Sequence, residues 1–214
     1  MPRRALRKLD PALDLSRHYR DGEALPPAFD QQALFGRTAP LEVEVGSGKG
    51  LFLAAASQHT PDHDFLGIEV SRKYARYAAA RLARQNAANA ILIGGDALPL
   101  FQSWFPAESL SAVHVYFPDP WWKKRHMKRR VLSEQFLRNV QRTLVRGGRL
   151  HFWTDVEEYF QTTLSLIATA TDLRGPLLVP EKAAEHHLDY RTHFERRTRL
   201  AELPVYRAEF EKQA

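Results

Sequence analysis

The chain has 214 residues, 31 Lys plus Arg against 25 Asp plus Glu for a net charge of +6, and no cysteine. That length can bury one α/β core. The missing cysteines exclude disulfides, iron–sulfur clusters, cysteine-ligated zinc and a thiol nucleophile. No apolar run reaches the roughly 18 residues that span a bilayer, and the opening Met1-Pro-Arg-Arg lacks the apolar stretch of a signal peptide. The expectation is therefore a soluble cytoplasmic protein that does not bind a membrane. The positive balance implies a polyanionic partner only if the charge is clustered.

Residues 1–40 carry an early basic cluster (Arg3, Arg4, Arg7, Lys8) and prolines at 26, 27 and 40. No long 3.6-residue period survives there, so the segment reads as a partly irregular arm, ordered only where something holds it. From residue 41 the texture changes to one domain over 41–214. Leu41–Val45 alternates and reads as a strand, and after a glycine cluster Leu51–Ser57 reads as a helix. Asp64–Val70 is a second strand, with Ser71 as N-cap for a helix over Arg72–Asn86. Ala90–Ile93 and Ser111–Phe117 are the third and fourth strands. Ser133 opens a helix to Leu144 that Gly147-Gly148 stops, and Arg149–Thr154 is a fifth strand. Asp155 is placed to cap a helix from Val156 to about Ala170, and Val205–Phe210 reads as a late edge strand. Strands alternating with helices predict an α/β, doubly wound, mostly parallel sheet of Rossmann-like type with a late antiparallel edge strand.

Glu44-Val-Gly46-Ser-Gly48-Lys-Gly50 closes the first strand. Glycines there let the backbone turn sharply and approach a ligand, at the carboxyl ends of strands where open α/β sheets bind theirs. The spacing is G-x-G-x-G with Leu51 where a dinucleotide fingerprint needs its third glycine, and Gly48-Lys49-Gly50 does not make a phosphate-binding P-loop. Glu44 would repel a pyrophosphate but attract an ammonium or sulfonium. Glu69 ends the second strand, where an acid commonly accepts from ribose hydroxyls. Asp96 ends the third, where it can meet an adenine amino group. Three acids at successive strand ends suit a cationic nucleoside, and S-adenosylmethionine fits that description.

Phe117-Pro-Asp-Pro-Trp-Trp-Lys-Lys-Arg-His-Met-Lys-Arg-Arg130 supplies the clustering, with six Lys or Arg among the eight residues 123–130. Such density after two tryptophans is how proteins hold nucleic acid, by stacking plus phosphate contacts. One of Trp121 and Trp122 is expected in the core. Asp119, stiffened between two prolines, is a catalytic candidate.

These segments, together with Gly67-Ile-Glu-Val70, Gly95-Asp-Ala97, Thr154-Asp155 and Thr192-His-Phe-Glu-Arg196, resemble the bacterial tRNA (guanine-N7)-methyltransferases over roughly residues 40–210. The 117–130 run is highly specific, whereas the glycine loop is common to most methyltransferases of this cofactor. The resemblance implies a class I fold that transfers a methyl group from S-adenosylmethionine to N7 of guanine 46 in the tRNA variable loop. It implies that Glu44, Gly46, Gly48, Gly50, Glu69, Asp96 and Asp119 line the cofactor site, with Asp119 catalytic. Lys123, Asp155, Thr192, His193, Phe194 and Glu195 would hold the substrate, and Lys124, Arg125, Lys128, Arg129 and Arg130 the RNA backbone. Two positions depart from the pattern: His193 stands where the family has Lys, and Trp122 where a smaller or more polar residue is expected.

Competing readings are weaker. Methylation of an exocyclic amine needs a second proline in the turn that Asp119-Pro-Trp-Trp122 lacks. Methylation at pyrimidine C5 usually needs a cysteine. A non-catalytic RNA-binding module with a Rossmann-like shell would lose some of the acids. No metal is expected, because His186-His187 and His193 lack ligand spacing. The sequence leaves monomer or homodimer open.

Overall fold

The computed structural model describes residue 6 and residues 8–180 and 190–213. Arg3, Arg4 and Arg7 of the basic cluster and His186-His187 lie outside the described residues, as does the side chain of Lys124. Among the described residues, eight strands form one sheet in the order β1-β4-β3-β2-β5-β6-β8-β7. They are β1 (Tyr19–Asp21), β2 (Leu41–Val45), β3 (Asp64–Glu69), β4 (Ala90–Gly94), β5 (Leu110–Tyr116), β6 (Leu144–Thr154), β7 (Arg174–Leu177) and β8 (Tyr206–Glu211). From β1 to β6 every neighbouring pair is parallel, while β8 runs antiparallel to both β6 and β7. The late antiparallel strand is present, with the four-residue β7 added outside it as the true edge.

The order reverses between β2 and β5, so the connections leaving these two strands go to opposite faces. One face carries α2 (Leu51–His59) and α3 (Arg72–Arg84), the other α5 (Glu134–Thr143) and α6 (Glu157–Ala170). In β2, Leu41, Val43 and Val45 enter the α5–α6 core, and Glu42 and Glu44 face α2. An alternating strand ordinarily turns its polar face to water. Here that face is covered as well, and the consequence is felt in the site.

The segment before residue 40 is more tightly integrated than an arm. β1 pairs in parallel with β4, and Leu25, Phe29, Leu34 and Phe35 pack against the core. The Phe29 ring meets Trp104 edge-on at 5.0 Å, and the Trp104 indole N–H donates to the Pro26 carbonyl at 2.9 Å. A short α1 (Gln31–Phe35) is capped by Asp30, whose carboxylate accepts from the Ala33 N–H, and is closed by left-handed Gly36.

Three expected boundaries shift. Gly147-Gly148 does not stop a helix. α5 ends at Thr143 and β6 runs through both glycines, with Gly148 so close to the Val145 carbonyl that a Cβ would sit 2.8 Å from it. Asp155 does not cap α6; the Thr154 hydroxyl accepts from the Val156 N–H instead. The Ser71 side chain makes no capping hydrogen bond to α3 either, and its backbone N–H donates to Glu69. Ser133 does cap α5, accepting from the Phe136 N–H. A three-residue helix α4 (Ala97–Pro99) follows β4, and α7 (His193–Leu200) precedes β8.

Candidate active site

The crevice at the β2/β5 reversal is floored by the glycine loop. Gly46, Gly48 and Gly50 all take positive φ (84°, 52° and 67°), a region that side-chain-bearing residues rarely adopt. At Gly50 a Cβ would also lie 2.7 Å from that of Ala78, so α3 packs against the loop only because no side chain is there. The loop is held from beneath: the Glu69 carboxylate accepts from the Gly48 N–H and the Ser71 N–H, each at 2.9 Å. Glu69 thus bridges the ends of β2 and β3 while its remaining lone pairs stay available to a ligand. Asp96, exposed at the end of β4, accepts from the Leu98 N–H at 3.0 Å.

Glu44 is 2% exposed, and its Oε2 has no hydrogen-bond partner among the described residues. Burial raises its pKa to about 8, with the Ser47 hydroxyl and the Arg191 charge pulling it down and Glu69 adding to the rise. A buried carboxylate with an orphaned oxygen is costly unless a donor arrives. The ammonium and hydroxyl donors of S-adenosylmethionine fit this set: an unsatisfied acid, a partly satisfied acid and backbone opened by glycines.

Across the crevice, β5 ends in the Phe117–Pro120 turn. Phe117 is itself left-handed (φ 50°) and its ring lies 5.2 Å from that of Phe194. That contact brings the start of α7, with Phe194, beside the turn. Asp119 is exposed in this turn, at the reversal point opposite the glycine loop. Arg130 fastens the turn: its Nε donates to the Pro120 carbonyl at 2.7 Å, and its guanidinium lies 4.6 Å from the Tyr159 ring centre. Of the basic run, Lys123, Arg125, Lys128 and Arg129 are exposed, whereas Arg130 is half-buried and directed inward. The expected core tryptophan is not found: Trp121 is half-buried and Trp122 is 61% exposed.

The late motif is built as a helix start. The Thr192 hydroxyl accepts from the Glu195 N–H at 2.9 Å, and the Glu195 carboxylate accepts from the Arg191 N–H at 2.6 Å. Glu195 is 2% exposed and pairs with Arg199 and Arg207, so it faces the protein and anchors α7. His193 accepts through Nε2 from the Arg81 guanidinium at 3.0 Å. Through that contact His193 joins α7 to α3. Asp155 is half-buried just past the end of β6.

Two features gave no sequence signal. Arg191, immediately before the motif, lays its guanidinium 5.5 Å from the Phe52 ring and 5.9 Å from Trp153, within electrostatic reach of Glu44. Below it, register sets Glu44, His114, His151 and Glu209 side by side across four strands. His114 Nε2 donates to Glu42 at 2.6 Å and its Nδ1 accepts from the Tyr116 hydroxyl at 2.8 Å. His63 also donates to Glu42, at 2.7 Å. Burial opposes the Glu42 charge, yet the hydrogen bonds from His114 and His63 prevail and hold its pKa at about 2. Burial, aided by His151, depresses His114 to about 4. Among the described residues no cluster of His, Asp and Glu can hold a metal, and no helix is long and apolar enough to cross a membrane.

A family model described as "Putative methyltransferase" matches residues 38–208. A relative from Rhodopirellula baltica named tRNA (guanine-N(7)-)-methyltransferase is 53% identical, covering all of this chain and 81% of the relative. One of the same name from Methylococcus capsulatus is 40% identical over 65% of this chain and 61% of its own length. Among solved structures, the 16S rRNA methyltransferase KamB superposes with a TM-score of 0.59 at 15% identity, over 86% of this chain and 92% of that one. The antibiotic-resistance methyltransferase Kmr gives 0.58 at 18%, over 86% and 92%. These two likenesses speak for the fold alone. With a relative at this identity across the whole of this chain and the glycine loop, strand-end acids and Phe117–Arg130 run in place, the chain belongs to the tRNA (guanine-N7)-methyltransferase family.

Proposed function

We propose that this protein methylates N7 of guanine in tRNA, at guanine 46 of the variable loop, with S-adenosylmethionine as methyl donor. The observation that carries the reading is the pairing, at one strand-order reversal, of the buried, unsatisfied Glu44 under a glycine loop with the braced Asp119 turn that opens into the basic run.

Bound S-adenosylmethionine would supply an electrophilic methyl group on a cationic sulfonium. Glu44 would hold the amino group of its methionine part, Glu69 its ribose hydroxyls and Asp96 its adenine, with Gly46, Gly48 and Gly50 leaving room for close approach. Guanine N7 offers a lone pair and carries no proton, so the chain needs no general base before transfer. What it must do is align two groups and place negative potential where the positive charge arrives on the base. Asp119 suits that task, held in position by Arg130 through Pro120. Asp119 or Asp155 can accept from guanine N1–H and its exocyclic amine, which selects guanine over adenine. Glu195 supports this contact from within by fixing the α7 start, and Thr192, His193 and Phe194 close the crevice beside Phe117. Lys123, Lys124, Arg125, Lys128 and Arg129 would meet RNA phosphates.

The test is to incubate the protein with unmodified tRNA transcript and methyl-labelled S-adenosylmethionine and identify the labelled nucleoside by mass spectrometry. The expected product is 7-methylguanosine, abolished by replacing guanine 46. Label in another nucleoside would discard the base assignment, and label surviving the replacement would discard the position.

A further inference from the structure

We infer that Trp122 is a stacking platform for an unpaired RNA base next to the methylated guanine, and that Trp121 is the pin that aims it. The inference rests on the reading of an RNA methyltransferase and adds a contact to it.

Two of the four tryptophans, Trp104 and Trp153, are 7% exposed, whereas Trp122 leaves 61% of its surface in water. A large apolar ring is costly to leave there without a partner. Loop freedom does not account for the exposure, because the residues on both sides are fastened. Before it, the Pro120 carbonyl accepts from Arg130 Nε at 2.7 Å. Trp121 takes a left-handed backbone (φ 44°) that bulky residues rarely adopt. Its ring meets His126 edge-on at 5.8 Å, and the Arg129 guanidinium lies over it at 5.2 Å. After it, the Lys123 carbonyl accepts from the His126 N–H at 2.7 Å. One indole is thereby turned in and the next presented outward.

The surroundings select the ligand. Lys123, Arg125 and Lys128, within six residues after Trp122 in the chain, are exposed, which suits an aromatic ring carried on a polyanion. Trp122 follows Asp119 by three residues, a reach of at most roughly 10 Å. A base stacked on it therefore belongs to a nucleotide adjoining the one at Asp119, not to a distant arm of the RNA. Stacking reads a π-face rather than hydrogen-bonding edges, so this contact orients the strand and leaves base choice to the carboxylates.

The experiment compares wild type, Trp122→Ala and Trp122→Phe on unmodified tRNA transcript. Trp122→Ala is expected to lower kcat/KM roughly 10- to 100-fold, the range of one base–aromatic stack. S-adenosylmethionine affinity by calorimetry should be unchanged, which also reports folding, and Trp122→Phe should recover most of the loss. Transcripts with an abasic sugar on either side of the target guanine then test the partner. One of the two should cost the wild type a similar factor and cost Trp122→Ala nothing further. Wild-type kcat/KM in Trp122→Ala, or abasic penalties that multiply fully with that substitution, would overturn the proposal. If even the wild type leaves no 7-methylguanosine, the base assignment fails separately. RNA affinity by gel shift with the same variants and transcripts still decides the stack.

Discussion

Replacing Glu44 with Gln should change the pH dependence of stability and the affinity for S-adenosylmethionine in ways that a surface carboxylate would not. The Glu44 carboxyl titrates at 4.5 in the unfolded chain and at about 8 when buried in the fold. The folded state therefore binds the extra proton between these values, so stability is fully present below 4.5 and is lost as pH rises toward 8. At about 1.4 kcal/mol per unit, the gap means that wild type should lose about 3 kcal/mol more than Glu44→Gln between pH 5 and pH 8. Urea unfolding of both proteins at several pH values measures this directly. The buried amide brings its own desolvation cost, but that cost is independent of pH and cancels in the slope. Other titrating groups are common to both proteins and cancel as well. In the same variant the affinity for S-adenosylmethionine should fall at least tenfold above pH 8, where most of the wild-type carboxyl is ionised. Parallel stability curves for the two proteins would refute the claim that this acid is held at a cost for a cationic ligand.

Other consequences are as direct. Asp119→Asn should cut kcat by about two orders of magnitude or more while retaining cofactor binding, as for loss of one preorganised transition-state contact; a near-normal single-turnover rate would remove Asp119 from the chemistry. Arg125→Ala and Lys128→Ala should each lower the slope of log K against log salt for tRNA binding by about one, read by fluorescence anisotropy across a salt series. Arg130→Ala should behave differently from its neighbours. It frees the Pro120 carbonyl and uncovers Tyr159, so kcat should drop more than tenfold with a nearly unchanged salt slope. His114 is depressed from 6.5 to about 4, so its folded form binds fewer protons and stability is lost as pH falls between those values. His114→Gln should flatten that acid limb by about 2 kcal/mol between pH 7 and 4.5, measured by denaturant titration at pH 7, 5.5 and 4.5.

Much of the parallel half of the sheet was legible because each strand carries its own signal. Leu41–Val45 alternates, Ala90–Gly94 is a short apolar run before Gly-Asp, and each is followed by turn residues. The three strand-end acids and the glycine loop were legible for the same reason, since their spacing is local. Features made by register were not. Glu42, His114, Tyr116, His151 and Glu209 look like ordinary polar positions of half-exposed strands until pairing sets them on one covered face. Arg130 is indistinguishable in sequence from Arg129, yet one reaches back to Pro120 and the other lies over Trp121. The integration of residues 19–35 is an intermediate case. Asp30 and Gly36 are legible helix boundaries, but a three-residue β1 and a five-residue helix are too short to show periodicity. Gly147-Gly148 misled because a glycine pair serves equally as a helix stop and as a place where backbone passes close to backbone.

The crevice also has to solve a problem of opposed charge. Asp119 stands only four residues before Lys123, and Glu44, Glu69 and Asp96 line the same end of the sheet. Acids and cations this close would neutralise one another if the side chains were free to pair. The fold commits most of the boundary charges elsewhere. Glu69 is taken up by two backbone N–H groups and Asp96 by one. Arg130 is held by a carbonyl and a tyrosine ring, and Arg129 by an indole. Partners without net charge satisfy directional hydrogen-bonding needs and leave the net charge in place. The acidic floor therefore keeps its attraction for a cation and the basic rim its attraction for phosphate, although the two are separated by a few residues of chain. A pyrophosphate cofactor would meet the floor's charge with its own, and so the same arrangement that accommodates a sulfonium disfavours a dinucleotide.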